Sequence, residues 1–113
     1  MPIHLLPSKT AAITGGTTGI GRAIALSFLS HGCNVAVNHL ALASDAQHLS
    51  SLHAEAAALK AQDPEAGVLI DVPGDITLPE TGKLLVEKAV ERWGRLDVFV
   101  SNAGICEFAE FLE

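Results

Sequence analysis

Two patterns of apolar and polar positions alternate along this chain. Short apolar runs rich in Val, Ala and Ile show no clean alternation, which is typical of strands buried on both faces of a parallel sheet. Between these runs, apolar residues recur every three to four positions, as they do in amphipathic helices. The order of the two patterns predicts strand, helix, strand, helix, strand, helix and strand.

The apolar runs mark the predicted strands. They are bounded by Gly, Pro and Asn, which commonly end regular structure. The runs place strands at about Lys9–Thr14, Asn34–Asn38, Val68–Val72 and Leu96–Ser101.

The first helix is predicted to run from about Gly19 to His31, with Gly32 as the residue that ends it. Ile20, Ile24 and Phe28 follow an i, i+4, i+8 spacing. This spacing places them on one stripe, which we expect to face the sheet.

Capping boxes predict the starts of the other two helices. The sequence Ser44-x-x-Gln47 opens helix 2, and Thr77-x-x-Glu80 opens helix 3. The buried faces are predicted to carry Leu49, Leu52, Ala56 and Leu59 in helix 2 and Leu85, Val86, Ala89, Val90 and Trp93 in helix 3.

Strands that alternate with helices form parallel sheets through right-handed crossovers. The pattern therefore predicts an α/β fold, a partial Rossmann-type doubly wound sheet with strand order 3-2-1-4. Helices 1 and 2 should cover one face, and helix 3 should cover the other. In such sheets ligands bind at the carboxyl ends of the strands, where the order reverses, which here means strands 1 and 4.

A glycine-rich segment, Thr14–Gly21, lies between strand 1 and helix 1. Glycine permits positive φ and lets a ligand approach the backbone, and the helix start suits a phosphate. We expect Gly15, Gly19 and Gly21 to shape this loop and the Ile20 N–H to donate to a phosphate. A P-loop would need Gly-Lys-Ser/Thr, which is absent from this segment.

The hydroxyls of Thr17 and Thr18 lie inside this segment. They either contact the ligand or brace the turn, and the sequence leaves both roles open. A simple strand-to-helix turn without a ligand is disfavoured, because four glycines fall within seven residues.

Three segments, in the same order along the chain, resemble the short-chain dehydrogenase/reductase family. Thr14–Gly21 is similar to its Thr-Gly-x-x-x-Gly-x-Gly cofactor loop, and Gly74–Ile76 to its aspartate-aliphatic pair after the third strand. Ser101–Gly104 is similar to its Asn-Asn-Ala-Gly motif, with Ser101 in place of the more usual asparagine. The resemblance extends from Lys9 to the end of the chain.

The resemblance implies roles for residues at the strand ends. Asp75 would contact the adenine amino group of NAD or NADP and Ile76 would pack on the ring, although an Asx turn also explains Asp75. Asn102 would steady the neighbouring strand, and the backbone of Ala103 and Gly104 would pass the cofactor ribose.

The end of strand 2 bears on the choice between NAD and NADP. An acidic residue there would bind the ribose 2′-hydroxyl, but this chain has Asn38 and His39. The sequence permits both cofactors, and the local charge favours NADP, because Arg22 or Lys9 could approach a 2′-phosphate. Asn38 could also bind a hydroxyl, or it could simply terminate the strand.

Composition limits the other classes of function. A length of 113 residues indicates one domain, and a net charge of −6 without a Lys/Arg cluster disfavours nucleic acid and anionic membranes. No apolar run is long enough to span a bilayer.

Cys33 is expected to be a small buried side chain, and His48 and His53 to be exposed rather than metal ligands. These features fit a cytoplasmic protein.

In this family, hydride transfer uses a Ser and a Tyr-x-x-x-Lys pair, but the sequence contains no tyrosine. We therefore expect residues 1–113 to be the NAD(P)-binding half of the domain, truncated before the catalytic half and without catalytic residues. Fungal L-rhamnose 1-dehydrogenases are the relatives that the chain most resembles at Val37–His39, Gly74–Gly82 and Val100–Cys106. This resemblance implies a sugar or other alcohol as substrate and homo-oligomeric full-length relatives. The alternatives are a non-catalytic nucleotide-binding or interaction fragment and an enzyme like the 3-oxoacyl carrier-protein reductases.

Overall fold

The computed structural model describes residues 4–102. Within these residues strands and helices alternate, as the apolar pattern predicts. In chain order the elements are β1 Thr10–Ile13, α1 Gly19–Ser30, β2 Asn34–His39, α2 Ala43–Gln62, β3 Leu69–Pro73, α3 Pro79–Trp93 and β4 Val98–Val100.

The four strands form one parallel sheet with the order β3-β2-β1-β4. Ala12 in β1 lies opposite Ala36 in β2 and Phe99 in β4. This order confirms the predicted α/β topology. After β3 the chain crosses back over the sheet, so that β4 pairs with β1 on the side opposite β2. The carboxyl ends of β1 and β4 therefore lie side by side.

The two faces of the sheet carry separate cores. On one face, Ile13, Val35 and Val37 are fully buried with α1 and α2. On the other face, Ala12 and Ala36 pack with Leu85 and Ala89 of α3. Since side chains alternate along a strand, β1 and β2 supply both cores, as a doubly wound sheet requires.

The predicted buried stripe of α1 is wrong at Ile20, whereas Ile24 and Phe28 are partly buried against the core. Gly21, Ala25 and Leu29 face the sheet, whereas the Ile20 residue is 65% exposed. A Cβ on Gly21 would lie only 2.4 Å from the Gly15 carbonyl oxygen. The helix can approach β1 this closely only through small residues, and the larger Ile side chain therefore points away from the closest contact.

Neither predicted capping box forms. Helix α2 starts at Ala43 and α3 at Pro79, and neither helix has a side-chain cap. Ser44 is already helical and therefore cannot act as the N-cap. The Thr77 hydroxyl instead donates to the Asp75 carboxylate at 2.7 Å.

The buried faces of α2 and α3 largely follow the sequence pattern. Leu52 and Ala56 of α2 and Leu85 and Ala89 of α3 are buried, whereas Val90 is exposed. The strands differ from prediction at their ends. In particular, β2 continues through His39, because its last two residues pair with β3.

Cys33 is fully buried in the core beside α1, as predicted. Burial, with a smaller contribution from the Asp97 carboxylate, raises the pKa of the Cys33 thiol to about 11. The thiol therefore stays protonated near neutral pH and behaves as an apolar side chain. No helix within residues 4–102 combines the length and apolar character needed to cross a bilayer.

Candidate functional site

A cleft of about 240 Å³ opens at the carboxyl ends of β1 and β2. Six of the residues singled out from the sequence line it, together with two that were not. The lining consists of Gly15, Thr17, Thr18, Asn38, His39, Leu40, Asp45 and Ile76. The cleft lies at the predicted carboxyl edge of the sheet. Its lining follows β1, β2 and β3 and includes no described residue of β4, so the cleft is displaced from the predicted position between strands 1 and 4.

The first turn of the glycine loop depends on Gly15 and Gly16. Gly15 has φ +62°, in the left-handed region. A Cβ on Gly16 would lie 2.6 Å from Cγ1 of Val37. The Gly16 N–H donates to the Asn38 carbonyl at 3.3 Å, so the loop is held against the end of β2.

Gly19 begins α1 with φ +58°, and nothing lies within 4 Å of the position a Cβ would take. The backbone is therefore open to an approaching group at this point. The Arg22 N–H donates to the Thr18 carbonyl at 3.2 Å. The N–H groups of Gly19, Ile20 and Gly21 precede this first i→i−4 bond, in the part of a helix that suits a phosphate.

The two threonines of the loop differ in exposure. Thr17 is buried and its carbonyl accepts a 3.3 Å hydrogen bond from Arg22, whereas Thr18 is exposed. Both line the cleft. Thr17 is therefore placed to brace the turn, and Thr18 is the more accessible hydroxyl.

Asn102 connects the end of β4 to the glycine loop. Its backbone N–H donates to Oγ1 of Thr14 at 2.8 Å, and its side-chain amide donates to the Gly15 carbonyl at 3.0 Å. These contacts join Asn102 to the two residues that directly follow β1. The strand-steadying role that the family resemblance implied stays a prediction. Ala103 and Gly104 lie outside the described residues.

Asn38 is committed to the backbone of the next strand. Its side-chain amide donates to the carbonyls of Val72 at 3.3 Å and Gly74 at 3.0 Å, and the residue is 2% exposed. The alternative that Asn38 only terminates β2 is wrong, because the strand continues to His39. Its amide nitrogen fixes the end of β3 beside the cleft.

His39 belongs to a cluster that the sequence did not reveal. Its Nδ1 accepts a hydrogen bond from the Ala41 N–H at 3.1 Å, so the ring proton lies on Nε2, 2.9 Å from the Asp71 carboxylate. His53 contacts the other oxygen of Asp71 at 2.9 Å, so the prediction of a simply exposed His53 is wrong. Asp71 lies opposite Val37, and His39 follows Val37 by two residues on the same face of β2. The contact therefore depends on strand register, which the sequence did not reveal.

The Asp71 carboxyl is half-buried between these rings. Burial acts to raise its pKa, but hydrogen bonds from His53 and His39 outweigh that effect and hold the pKa below its usual value. Asp71 therefore fixes the orientation of His39 at the cleft wall. No group of His, Cys, Asp and Glu side chains between residues 4 and 102 is arranged to hold a metal ion.

Asp75 and Ile76 follow β3. Oδ1 of Asp75 accepts hydrogen bonds from the Thr77 hydroxyl at 2.7 Å and the Thr77 N–H at 2.9 Å, and both bonds lower the pKa of Asp75. The Asx turn is thus present. Both bonds use one carboxylate oxygen, so the turn is compatible with a contact through the other. Ile76 lines the cleft itself.

Arg22 does not serve as a free cation at the cleft. Its guanidinium joins the glycine loop to α2 and is four-fifths buried. It donates to the carbonyls of Thr17 and His48, the hydroxyl of Ser51 and the carboxylate of Glu55.

Lys9 lies at the opposite edge of the sheet. It directly precedes β1, and its carbonyl accepts a hydrogen bond from the Asn34 N–H at the start of β2. The amino ends of the strands meet at this edge, a strand length away from the cleft. The expectation that Arg22 or Lys9 could meet a 2′-phosphate is therefore not met by this arrangement.

The family model and the most similar relatives indicate the same family. The model of the short chain dehydrogenase family matches residues 9–113. The chain is 53% identical over 109 residues to an L-rhamnose-1-dehydrogenase of Scheffersomyces stipitis, and 45% identical over 111 residues to an L-rhamnose 1-dehydrogenase (NAD(P)(+)) of Sphingomonas sp.. These alignments cover 96% and 98% of this chain and 40% of each relative.

Among solved structures, L-sorbose reductase from Gluconobacter frateurii, complexed with NADPH and L-sorbose, superposes with a TM-score of 0.70. The two proteins are 28% identical, and the match covers 92% of this chain and 36% of the reductase. The chain thus spans about two fifths of the length of the curated relatives it matches.

Proposed function

The chain belongs to the short chain dehydrogenase family, and from that membership we propose that its cleft binds the nicotinamide dinucleotide NAD or NADP. The chain would then form the dinucleotide-binding part of an oxidoreductase. The observation that carries the proposal is the convergence at one cleft of the glycine loop and the ends of β2 and β3. The open backbone at Gly19 follows directly after Thr18, which lines that cleft.

The described residues fit such a cofactor. Gly15 and Gly19 adopt positive φ, and Gly21 allows α1 to pack closely, so the loop offers backbone N–H groups without an obstructing side chain. We propose that the Ile20 N–H donates a hydrogen bond to the pyrophosphate and that the Thr18 hydroxyl adds a second contact, while Thr17 holds the turn.

The remaining contacts follow the strand ends. Asp75 would accept a hydrogen bond from the adenine amino group, and Ile76 would pack against the ring. Asn102 would hold the loop through Gly15 while Ala103 and Gly104 pass the ribose. When bound, the nicotinamide would accept a hydride from a substrate carbon or donate one to it. No side chain of this chain can supply that chemistry.

We infer a sugar or related alcohol as the substrate class of the full-length protein. Support comes from the L-rhamnose 1-dehydrogenases, which are among the most similar relatives, and from the structural match to a sorbose reductase. Oxidation of such a sugar would transfer a hydride from its hydroxyl-bearing carbon to the nicotinamide and release the hydroxyl proton. In the family that proton passes to a tyrosine, and these 113 residues contain none.

A non-catalytic nucleotide-binding role is the second candidate. The absence of tyrosine from the sequence favours it for the 113 residues acting alone. Both candidates require dinucleotide binding, but only the first gives NADH or NADPH formation with L-rhamnose. We therefore expect this chain on its own to bind the cofactor without turnover.

Fluorescence titration of the 113-residue chain with NADH and NADPH tests the shared step. We expect saturable binding that weakens about tenfold or more in Gly19→Val, because a branched side chain would fill the open approach and disfavour positive φ. Gly82→Val is the matched control, since a Cβ on Gly82 would also meet no atom within 4 Å but would lie on α3. Equal affinity in the wild-type chain and Gly19→Val would overturn the assignment.

A further inference from the structure

Asp45 is the acidic side chain that lines the cleft. It lies in the first turn of α2, where its N–H donates to the Leu42 carbonyl at 2.9 Å. Sequence spacing did not suggest this position, because Asp45 lies six residues beyond the end of β2. The fold of the loop between β2 and α2 returns it to the same cleft as Asn38 and His39.

The basic side chains near this wall are engaged elsewhere. The Arg22 guanidinium donates to acceptors on the glycine loop and α2, including Glu55 at 2.9 Å. The ring proton of His39 points to Asp71, while its Nδ1 accepts from Ala41. Among the residues that line the cleft, a full negative charge on Asp45 is therefore not balanced by an Arg or Lys.

We propose that Asp45 determines cofactor specificity and makes this cleft prefer NAD to NADP. The inference rests on the proposed dinucleotide site. A phosphate monoester carries about −1.5 to −2 charges near pH 7, so a 2′-phosphate at this wall would be repelled by the carboxylate. A ribose 2′-hydroxyl can instead donate a hydrogen bond to a carboxylate oxygen.

The helix end adds to the same preference. The positive end of α2 would otherwise attract an anion, but Asp45 already lies in its first turn and compensates that partial charge. The preference is opposite to the one expected from the sequence, which rested on Arg22 or Lys9 being available and on no carboxylate being near. The structure removes both conditions.

Binding constants for NADH and NADPH, measured by fluorescence on the full 113-residue chain, test the inference. The wild-type chain should bind NADH more tightly. Asp45→Asn should tighten NADPH binding about five- to tenfold and change NADH binding less than about twofold. The control Glu87→Gln removes an equal charge from an exposed position of α3, on the opposite face of the sheet, and should change neither constant.

Salt dependence of the wild-type chain gives a second readout that needs no variant. The ratio of the NADPH to the NADH dissociation constant should fall as ionic strength rises from about 0.02 M to about 0.5 M, because salt screens the repulsion. A ratio that rises with salt, or an Asp45→Asn variant that alters both constants equally, would overturn the role of Asp45. Failure of both dinucleotides to bind the folded wild-type chain would instead overturn the proposed function.

Discussion

The side-chain amide of Asn102 donates a hydrogen bond of 3.0 Å to the carbonyl oxygen of Gly15, 87 residues earlier in the chain. The Asn102 backbone N–H reaches the Thr14 hydroxyl at 2.8 Å. The end of β4 thereby holds the first two residues of the glycine loop, Thr14 and Gly15. This contact joins two of the three segments that carry the family resemblance.

Asn102→Ala should loosen this connection. The variant loses the side-chain bond and leaves the Gly15 carbonyl with one partner fewer, which should cost about 1 kcal/mol in the free energy of unfolding. Dinucleotide affinity should fall about five- to tenfold because the loop is less ordered. Urea unfolding and a cofactor titration measure the two effects. Ser101→Ala, at the exposed neighbouring position, is the control, and equal behaviour of the two variants would contradict the prediction.

Substitutions at Gly19 and Gly82 distinguish the cost of an unfavourable backbone φ from the cost of a steric clash. A Cβ on either would meet no atom within 4 Å, but only Gly19 has positive φ. Gly19→Ala should therefore lower the free energy of unfolding by about 1–2 kcal/mol, whereas Gly82→Ala, within α3, should raise it by about 0.5–1 kcal/mol. Chemical denaturation measures both, and a change of the same sign in the two variants would be inconsistent with the left-handed backbone at Gly19.

The fold could be predicted from the sequence because the apolar patterns that specify each element are local and recur along the chain. The apolar runs and helical spacing predicted every described element and the strand order. The buried face of a helix was harder to predict where it depends on how closely the helix approaches the sheet. The fully buried positions of α1 include the small residues Gly21 and Ala25, because the helix approaches the sheet closely there. The predicted stripe therefore failed at Ile20, while Ile24 and Phe28 are only partly buried.

The site residues that belong to one continuous motif could be predicted from the sequence. Those that come from separate elements and meet only in the fold could not. Gly15, Thr17 and Thr18 belong to one continuous motif and do line the cleft. Asp45 enters it only because a loop folds back. The cluster of His39, Asp71 and His53 likewise joins three elements, so no spacing along the chain revealed it.

Asp71 should make stability depend on pH in the acid range. Its pKa is lower in the folded protein than in the unfolded chain, so the ionised carboxylate stabilises the fold. This contribution is present above pH of about 4 and is lost as pH falls below the unfolded value toward the folded one. Asp71→Asn should remove this part of the acid dependence and lower stability at pH 6.

Urea midpoints measured from about pH 6 down to about pH 3 provide the comparison. The wild-type curve should fall more steeply than that of Asp71→Asn, while the exposed Glu87→Gln should follow the wild type. Parallel curves for the wild type and Asp71→Asn would show that the contacts with His39 and His53 do not couple to folding.

Strand β4 should promote self-association of this chain. Within the described residues it pairs with β1, and Phe99 is 45% exposed on the face that carries α3. An apolar strand with an open edge is a template for pairing with a second copy. Phe99→Lys should shift sedimentation profiles toward the monomer. A wild-type chain that remains monodisperse at tens of micromolar would contradict this expectation.

Amide chemical-shift mapping of the ¹⁵N-labelled chain during titration with NADH tests the central claim most directly. The account predicts the largest shifts at Gly15, Gly19, Ile20 and Gly21, with smaller ones at Asn38 and Ile76. The groove between α1 and α2, lined by Leu26, Ser30 and Leu59, lies outside the cleft and should stay unchanged. Saturating shifts confined to that groove, or none at the glycine loop of a folded chain, would contradict the dinucleotide site.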